Sequence, residues 1–401
     1  MSNNNDKKIL NVPALRFPEF SGEWEKHSLG EIGETIIGLT YKPSDVVENK
    51  GTIVFRSSNI QNGAIDYSDL VRVNKTIKTR MITKVNDILV CARNGSQRLI
   101  GKNAIIKQGD TNNTFGAFMM VYRSEDNQFI FPLLSTKRYI SQVGENLGAR
   151  INQITTSDFN GFEFYFPTNH KERTKISELF RLLDERIAAQ TKIIEKLESL
   201  IRGIVTKICS GAFVKGKYVF LRDILIERHI KNTENYEVYS VSVSQGIINQ
   251  IDYLGRSFAA KETLHYNVVN YGDIVYTKSP TGDFPYGIVK RSHIQKPVAV
   301  SPLYGVYQPK NDYIGKYLHL YFKSPINTKN YLHRLIQKGA KNTINITNSH
   351  FLDNNVFIPE KTELINIVNL TSAIEDKLVL ASRMLDLLKS QKGYLLSKMF
   401  I

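Results

Sequence analysis

Two short stretches carry residue types that could perform catalysis, and neither has the spacing that catalysis requires. The segment PSDVVENK places Asp45, Glu48 and Lys50 in the order in which a metal-dependent nuclease uses carboxylates for the metal and a lysine for charge. All three lie within one short loop, so a solvated turn is the favoured interpretation and a nuclease is an alternative. The segment GSQRLIGKN (95–103) is similar to a phosphate-binding loop, but five residues separate its glycines instead of four, and Asn103 replaces the magnesium-binding Ser or Thr.

No other catalytic or metal-binding pattern is present in the sequence. There is no HExxH or GxGxxG motif and no Asn-Pro-Pro-aromatic signature of an adenine methyltransferase, and the eight histidines are scattered. The two cysteines, Cys91 and Cys209, lie far apart, which argues against a disulfide framework or a thiolate zinc site. We therefore predict no catalytic residue, no metal and no cofactor bound by the chain itself.

Basic and amide side chains are instead concentrated in loops that follow predicted strands. Arg suits O6 and N7 of guanine, and Asn or Gln suits N6 and N7 of adenine. For any single residue, phosphate contact or plain solvation is the favoured interpretation, and the clustering is the signal. The net charge of +15 favours a polyanionic partner. The candidate DNA-binding residues are Thr40, Lys42, Arg56, Ser57, Asn59, Arg93, Asn94, Ser96, Gln97, Arg98, Lys102, Arg150, Asn152 and Gln153 in the first half of the chain, and Lys278, Ser279, Thr281, Asp283, Lys341, Asn342, Thr343 and Asn345 in the second.

A sequence repeat accounts for the two groups of loops. INQITTSDFNGFEFYFP (151–167) is echoed by INITNSHFLDNNVFIP (344–359), which aligns Phe159 with Phe351 at an offset of 192. The pairs LGEI and LRDI, NDILV and GDIVY, and KIIEKLES and RMLDLLKS align at offsets of 192, 186 and 191. The repeat is too long for a solenoid unit. Because the frame is shared while the loops diverge, we predict two related domains whose loops make different contacts.

Each half of the chain is predicted to form an α+β domain. The first half contains β-rich runs such as GTIVFRSSNI, NDILVCA and FMMVYRS, which are bounded by Gly, Asn, Asp and Ser. The second half contains EVYSVSVSQG, GDIVYTK and YGIVKRS. Helix candidates lie between the strands, and this mixture is typical of the α+β class.

Each repeat ends in a long helix with a single apolar stripe. Asn169 and Glu172 can form a capping box at the start of the first helix, and Gly211 supplies its stop. A helix of about forty residues is roughly 60 Å long, which is more than a domain of about 150 residues can cover. We therefore predict that the two stripes pack against each other as an antiparallel coiled coil, with two helices packed only on their own domains as the alternative. The stripes are Ile176, Leu179, Phe180, Leu183, Ile187, Ile194, Leu197, Ile201, Ile204 and Ile208, and Ile367, Ile374, Leu378, Leu385, Leu388, Leu395 and Met399.

Two related basic domains joined by stiff helices favour a divided DNA target. A two-fold dimer binds half-sites about 34 Å apart, and a duplicated chain can do the same with two different half-sites. We predict a bipartite, asymmetric duplex target with an unread spacer. An RNA-binding scaffold is a further alternative, although RNA readout usually needs aromatic stacking platforms. The start MSNNNDKKIL has no apolar signal region and no run of 18 apolar residues occurs, so we predict a cytoplasmic protein without a membrane partner.

Several segments of the chain are similar to one known protein family. They are the lead-in LRFPEFSGEWEKHSLGEI (15–32), the turn NDILVCARNGSQRLIGKNAII (86–106), the junction FPTNHKERTKISELFRLLDERI (166–187) and the tails IRGIVTKICSG and GYLLSKMF. Through these segments the chain resembles the specificity subunit of type I restriction–modification systems over nearly its whole length. Arg173 stands where the family usually has Gln, and the second helix entry, IPEKTELINIV, lacks the Glu-Gln pair of the pattern.

The resemblance implies a non-catalytic subunit with two target-recognition domains and conserved spacer helices. Its segments would be residues 1–167 and 212–359 for the recognition domains, and 168–211 and 360–401 for the helices. It also implies three kinds of partner: double-stranded DNA, two modification subunits that methylate adenine N6 with S-adenosylmethionine, and two restriction subunits that use ATP and magnesium to translocate and cleave DNA. The candidate contacts to the modification subunits are Glu185, Arg186, Glu195, Lys196, Leu200 and Ile201.

Overall fold

The structure, a computed structural model, divides into two compact units. The first unit is Met1–Thr191 together with Met384–Ile401, and the second unit is Lys192–Arg383. Each unit contains one copy of the repeat and a part of each long helix, because both divisions fall inside the helices. The residues that the structure describes are 11–149, 152–209, 214–254, 262–338 and 344–401.

The first unit is built from short strands and helices that precede its long helix. The strands are β1 (Glu25–Ser28), β2 (Glu34–Ile37), β3 (Val46–Val47), β4 (Thr52–Phe55), β5 (Ile60–Gln61), β6 (Ala64–Ile65), β7 (Val71–Val73), β8 (Ile88–Cys91), β9 (Asn103–Ile105), β10 (Thr114–Phe115), β11 (Met119–Arg123) and β12 (Glu163–Phe166). The helices are α1 (Leu29–Ile32), α2 (Asn127–Leu133), α3 (Lys137–Ala149), α4 (Thr156–Asn160) and α5 (His170–Cys209), which continues into the second unit.

The central sheet of the first unit is antiparallel, with the strand order β2-β11-β8-β9. Every residue of β8 is fully buried. Since successive side chains of a strand point to opposite faces, Ile88 and Val90 enter one apolar cluster while Leu89 and Cys91 enter another. An unbroken apolar strand is therefore covered on both faces, and only the loops at its ends reach the surface.

The second unit repeats this arrangement. Its strands are β13 (Gly216–Phe220), β14 (Leu225–Glu227), β15 (Tyr239–Ser242), β16 (Gly246–Asn249), β17 (Asn267–Val269), β18 (Ile274–Thr277), β19 (Ile288–Arg291), β20 (Val298–Val300), β21 (Gly305–Pro309), β22 (Gln337–Lys338), β23 (Ile344–Asn345) and β24 (Asn355–Pro359). Its helices are α6 (Gln250–Leu254), α7 (Asp312–Lys323), α8 (Pro325–His333), α9 (Asn348–Phe351) and α10 (Lys361–Met399), which continues into the first unit.

Sheet topology confirms the predicted duplication and the α+β class. The sheet β14-β21-β18-β19 has the same order as β2-β11-β8-β9, and the pair β13-β24 corresponds to β1-β12. Phe159 and Phe351, which the sequence repeat aligns, are both fully buried. The ring of Phe159 lies 5.5 Å from that of Tyr122, and the ring of Phe351 lies 4.9 Å from that of Tyr307. The same aromatic position thus closes the core of each copy.

The two long helices form the predicted antiparallel pair. In the first unit Phe180 of α5 stacks on Phe400 just beyond α10, with ring centroids 5.4 Å apart. One turn further along α5, Asp184 accepts a hydrogen bond from Lys392 of α10 at 2.5 Å. Because a later residue of α5 meets an earlier residue of α10, the two helices run in opposite directions. In the second unit Ile201 of α5 and Ile374 of α10 share one buried cluster. Within the described residues, none of the helices combines the length and the apolar character that a membrane span needs.

The start of α5 differs from the predicted capping box. Asn169 accepts a hydrogen bond from the backbone amide of Lys171 at 2.9 Å. The carboxylate of Glu172 is fully buried and instead binds Arg16, which donates to it from Nε at 2.7 Å and from Nη2 at 2.8 Å. A charged pair with two parallel hydrogen bonds outcompetes a single bond to backbone, and it fixes the N-terminal segment to the helix. The predicted helix stop at Gly211 lies outside the described residues.

Lys290 on β19 is a buried amine that costs the second unit stability at neutral pH. Its Nζ donates to the carbonyl oxygen of Val243 at 2.7 Å, and burial lowers its pKa to about 8. In the unfolded chain the pKa of a lysine is about 10.4, so the unfolded chain binds more protons than the folded chain between about pH 8 and about pH 10.4. Folding stability is therefore reduced below pH 8 and increases as the pH rises from 8 to 10.

Lys290→Met is expected to raise the free energy of unfolding at pH 7 by about 3 kcal/mol and to flatten its rise above pH 8. Urea denaturation followed by circular dichroism at pH 7, 8, 9 and 10 measures both effects. Lys217→Met, which changes an exposed lysine on β13 of the same unit, is the matched control. A pH profile of Lys290→Met parallel to that of the unchanged protein would contradict this prediction.

Candidate nucleic-acid interface

Three loops that the sequence predicts to be polar meet at one end of the central sheet in the first unit. Arg93 follows β8, and its backbone forms an antiparallel bridge with Gln153. The side-chain amide of Asn94 donates to the hydroxyl of Ser57 at 2.9 Å, and its backbone amide donates to the carbonyl of Asn152 at 3.4 Å. The fold has thus brought together residues that are 37 to 60 positions apart along the chain. We call this set the first polar surface: Ser57, the loop 93–98, Phe118, Asn152 and Gln153.

The loop 93–98 is ordered by its own side chains. Asn94 accepts a hydrogen bond from the backbone amide of Ser96 at 2.9 Å, and Asn152 donates to the carbonyl of Gly95 at 3.3 Å. Asn152 has a positive φ of 56°, a conformation that Asn tolerates better than most residues. The side chains of Arg93, Ser96, Gln97 and Arg98 are exposed. A fixed loop with exposed cations and amides can bind phosphate and base edges.

Asn59 does not reach this surface, and Arg56 is paired with a carboxylate. Asn59 is fully buried, and its amide donates to the backbone carbonyls of Asp66 and Asp69 at 2.9 and 2.8 Å. That amide is used to hold a loop, so a duplex cannot reach it. Arg56 is half-buried and its guanidinium lies 2.7 Å from the carboxylate of Asp69. This pairing offsets part of the charge that would attract phosphate.

Thr40 and Lys42 lie in a neighbouring turn. The carbonyl of Thr40 accepts a hydrogen bond from Nζ of Lys75 at 3.0 Å. The backbone amide of Lys42 donates to the carboxylate of Asp45 at 2.9 Å. The side chains of Thr40 and Lys42 are exposed, so both remain available to a duplex.

The contacts of Asp45 explain the acidic turn that resembles a nuclease. The backbone amide of Lys42 is the main cause that lowers the pKa of Asp45, and Lys75 adds to it. Glu48 and Lys50 are exposed in the turn that follows. A carboxylate that caps a turn is the arrangement expected of a solvated loop. Among the residues that the structure describes, no cluster of three or more His, Cys, Asp or Glu side chains is placed to hold a metal ion.

Lys102 lies at the edge of the first polar surface, beside the end of β8. Its backbone carbonyl accepts from the amide of Cys91 at 2.9 Å, and its side chain is half-buried. Burial raises the pKa of Cys91 to about 11, although Lys102 opposes that shift. The thiol is therefore protonated at neutral pH and is not a nucleophile.

Four candidate residues of the second unit lie in the connection between β18 and β19. Thr281 and Phe284 exchange backbone hydrogen bonds at 3.1 and 2.9 Å, which closes a tight turn. Gly282 occupies this turn with a φ of +47°, and Phe284 is buried beneath it. Burial lowers the pKa of Lys278, and Glu227 opposes that shift. Ser279, Thr281 and Asp283 are exposed, so this hairpin presents mainly hydroxyl and carboxylate groups.

Five other candidates cannot be placed as side chains. Asn345 lies on β23, where its backbone pairs with Gln337. The residues that lie outside the described part of the chain are Arg150, Lys341, Asn342 and Thr343.

Comparison with known proteins shows which family these loops are similar to. Residues 21–199 match the family described as the type I restriction modification DNA specificity domain. This part of the chain is therefore similar to a type I specificity domain. The matched segment contains the whole first polar surface and most of α5, so the polar loops of this domain are those that the sequence predicts to bind DNA.

Two curated relatives are similar to just under half of the chain. The chain is 26% identical over 202 residues to the type I restriction enzyme EcoKI specificity subunit of Escherichia coli (strain K12), covering 48% of this chain and 43% of the relative. It is 25% identical over 201 residues to the StySPI specificity subunit of Salmonella potsdam, covering 47% of this chain and 43% of the relative. The chain thus spans less than half the length of these two relatives. The resemblance predicted from the sequence is confirmed.

A solved structure shows a similar fold over the whole chain. The crystal structure of the type I restriction–modification system S subunit from M. genitalium superposes with a TM-score of 0.63 at 16% identity. The superposition covers 97% of this chain and 99% of that one. Both copies of the repeat and both long helices are therefore common to the two folds.

Phe118 is a member of the first polar surface that sequence reasoning missed. Its side chain is 60% exposed, and the guanidinium of Arg93 lies over its ring at 5.3 Å from the centroid. Its carbonyl accepts hydrogen bonds from the amides of Ala92 and Arg93, both at 3.0 Å. The run FMMVYRS reads as a buried strand, and nothing in its alternation distinguishes the first residue from a core residue. Only an alignment of the strands of the two repeats could have suggested its exposure.

The predicted contacts on α5 divide into exposed and buried residues. Ile201 is buried in the apolar cluster that it shares with α10, so its side chain cannot contact another protein. Glu185 binds Arg181 one turn earlier on the helix at 2.6 Å. The other predicted contacts have exposed side chains: Glu185, Arg186, Glu195, Lys196 and Leu200.

Proposed function

We propose that the chain is the non-catalytic specificity subunit of a type I restriction–modification enzyme and reads a bipartite, asymmetric DNA target. Each unit would contact one half-site. The observation that carries the proposal is the repetition of one sheet topology in both units with unlike loops at the same position, 92–102 after β8 and 278–287 after β18. Identical loops would read the same half-site twice, whereas unlike loops read two different ones.

The proposed partners follow from the family to which the specificity domain belongs. The chain would bind double-stranded DNA and scaffold two modification subunits and two restriction subunits. S-adenosylmethionine, ATP and magnesium would be bound by those partners, which would carry out adenine methylation and DNA cleavage in the cytoplasm. The recognition domains would be residues 1–167 and 212–359, and the spacer helices residues 168–211 and 360–401.

The charge of the first polar surface supports contact with DNA. Arg93 and Arg98 are exposed, and both lie in a loop held by hydrogen bonds to two other loops. A guanidinium on an ordered loop loses less conformational entropy on binding than one on a mobile loop. In this proposal Arg93, which has a ring contact to Phe118, would bind a base edge, and Arg98 would bind a phosphate.

Arg98→Gln is expected to weaken binding about three- to tenfold on every duplex. It should also reduce the slope of the logarithm of the binding constant against the logarithm of salt concentration by about one, the value for one phosphate contact. Arg93→Gln is expected to weaken binding to the preferred duplex more than to a scrambled one, because base contacts specify. Fluorescence anisotropy with duplexes selected from a random library, titrated over salt concentration, measures both. Arg202→Gln is the matched control, since Arg202 is an exposed arginine of α5 outside the first polar surface.

Three outcomes would contradict the proposal. The chain with its modification subunits could show no sequence preference at any salt concentration. Structured RNA could compete as well as the selected duplex, which would favour an RNA-binding scaffold. Magnesium-dependent cleavage by the chain alone, lost in Asp45→Ala, would favour the nuclease.

A further inference from the structure

The strand registers of the two units identify a pair of equivalent turns. In the first unit Tyr122 of β11 lies opposite Ile88 of β8, and in the second Tyr307 of β21 lies opposite Ile274 of β18. The sequence repeat aligns Ile88 with Ile274, so Tyr122 corresponds to Tyr307. Four residues before these tyrosines stand Phe118 and Leu303. Both lie in the turn that precedes the central strand.

These turns have the same hydrogen bond. The amide of Met119 donates to the carbonyl of Gly116 at 2.8 Å, and the amide of Tyr304 donates to the carbonyl of Ser301 at 3.0 Å. In both turns the large apolar side chain is the third residue, and Leu303 is 70% exposed, more than Phe118. A pair of apolar tips therefore occupies one structural position in the two copies.

The backbone of each tip is fixed by further contacts. In the first unit the end of β8 binds the carbonyl of Phe118 through two amides. In the second unit the buried side chain of Asn267 donates to the carbonyls of Tyr304 and Pro302 at 2.9 and 3.4 Å. Since the main chain is held on both sides, the exposure of Phe118 and Leu303 is a feature of the folded turns and not of frayed loops.

A single exposed apolar side chain is ordinary on a protein surface. Here the position recurs in two copies whose loops otherwise differ, and the residue type changes from aromatic Phe118 to aliphatic Leu303. The two side chains are therefore alike in being apolar, although they differ in shape. Phe118 lies beside the loop 93–98 of the proposed interface, because its carbonyl binds the amide of Arg93. In the second unit the pairing of Tyr276 with Gly305 puts the turn of Leu303 at the same end of the sheet as the start of the loop 278–283.

The major groove presents one apolar group that identifies a base, the 5-methyl group of thymine. Hydrogen-bonding side chains cannot read it, whereas a rigid apolar tip can. We propose that Phe118 and Leu303 each contact a thymine methyl group in the half-site read by their own unit. The inference rests on the proposed function and adds a specificity-determining residue in each unit. Arg93, which lies over the ring of Phe118, would bind the edge of the adjacent base.

The test replaces thymine by uracil, which removes only the methyl group. In the selected duplex, a single T→U substitution in either half-site should weaken binding of the unchanged protein about fourfold, the effect of losing one apolar methyl contact. Phe118→Ala should abolish the response to uracil in one half-site and keep it in the other. Leu303→Ala should show the opposite pattern. Fluorescence anisotropy with the protein and its modification subunits gives each dissociation constant.

The matched controls are Ile140→Ala on α3 and Ile326→Ala on α8, which truncate residues 63% and 70% exposed in the first and second units. Both should keep the two uracil responses. A protein without any sequence preference would overturn the proposed function itself. Three other results overturn only this inference. The protein could prefer its target but bind it equally well after T→U substitution, or it could select a half-site that contains no thymine. Phe118→Ala could also keep the loss of affinity on T→U substitution in both half-sites.

Discussion

Replacing Phe400 by alanine is expected to lower the free energy of unfolding of the first unit by about 3–5 kcal/mol. Phe400 follows α10 and is almost fully buried. Its ring centroid lies 5.4 Å from that of Phe180, 5.6 Å from that of Phe129 and 6.4 Å from that of Trp24. Removing the ring leaves a cavity among aromatic side chains that cannot collapse to fill it.

The effect is large because Phe400 joins three separate parts of the first unit. Trp24 comes from the segment before β1, Phe129 from α2 and Phe180 from α5. The backbone amide of Leu15 also donates to the carbonyl of Lys398 at 2.8 Å. Phe400 is therefore part of the core of the first unit. The substitution by alanine removes its ring contacts with the segment before β1, with α2 and with α5.

Trp24 provides the measurement for Phe400→Ala. It is the only tryptophan of the chain and lies against Phe400, so its fluorescence reports the unfolding of the first unit in guanidinium chloride. Tyr394→Ala is the control, because Tyr394 lies on the same helix with 58% of its side chain exposed, and a change within about 0.5 kcal/mol is expected. Equal denaturation midpoints for the two variants would mean that the end of α10 does not belong to this core.

The pairing of the two long helices could be predicted from the sequence. In the structure these helices are α5 (His170–Cys209) and α10 (Lys361–Met399). An apolar stripe over forty positions is a strong periodic signal, and a partner of equal length is the simplest way to bury it. The repeat was equally visible, because core positions such as Phe159 and Phe351 tolerate few residue types.

The position of the polar loops could not be predicted, because it depends on the order of strands in the sheet. Periodicity identifies a strand but not its neighbour. Ser57 and Asn94 meet only because the loops after β4 and β8 emerge at the same end of the unit. For the same reason Asn59 reads as a surface amide in the sequence, whereas the fold encloses it.

The buried carboxylates show how far a sequence repeat can guide prediction. The alignment of NDILV with GDIVY pairs Asp87 with Asp273, and both are buried with an arginine bound through two hydrogen bonds. The arginines are not equivalent, since Arg123 lies on β11 and Arg228 follows β14. The need for a cation is conserved between the copies because an unpaired buried charge costs several kcal/mol, but the strand that supplies it is not.

Inserting one heptad into each long helix is expected to change the DNA target of the proposed subunit. The insertions, between Thr191 and Lys192 and between Arg383 and Met384, fall where the chain passes from one unit to the other. Seven residues add about 10 Å of helix, which equals about three base pairs. If the helices set the distance between half-sites, binding to the original target should fall about 100-fold or more, because only one half-site can then be engaged.

Selection of duplexes with spacers of every length measures this change. Three base pairs also rotate the duplex by roughly 100°, since one turn contains 10–10.5 base pairs. The single-heptad variant should therefore bind its longer target more weakly than the unchanged protein binds the original target. A three-heptad variant adds about 32 Å, close to one DNA turn, and should recover most of the affinity at a spacer about nine base pairs longer. An insertion in α5 alone is the control, since it puts the two apolar stripes out of register. If the variants with one and with three heptads in both helices still select the original spacer, the helices do not determine the distance between the half-sites.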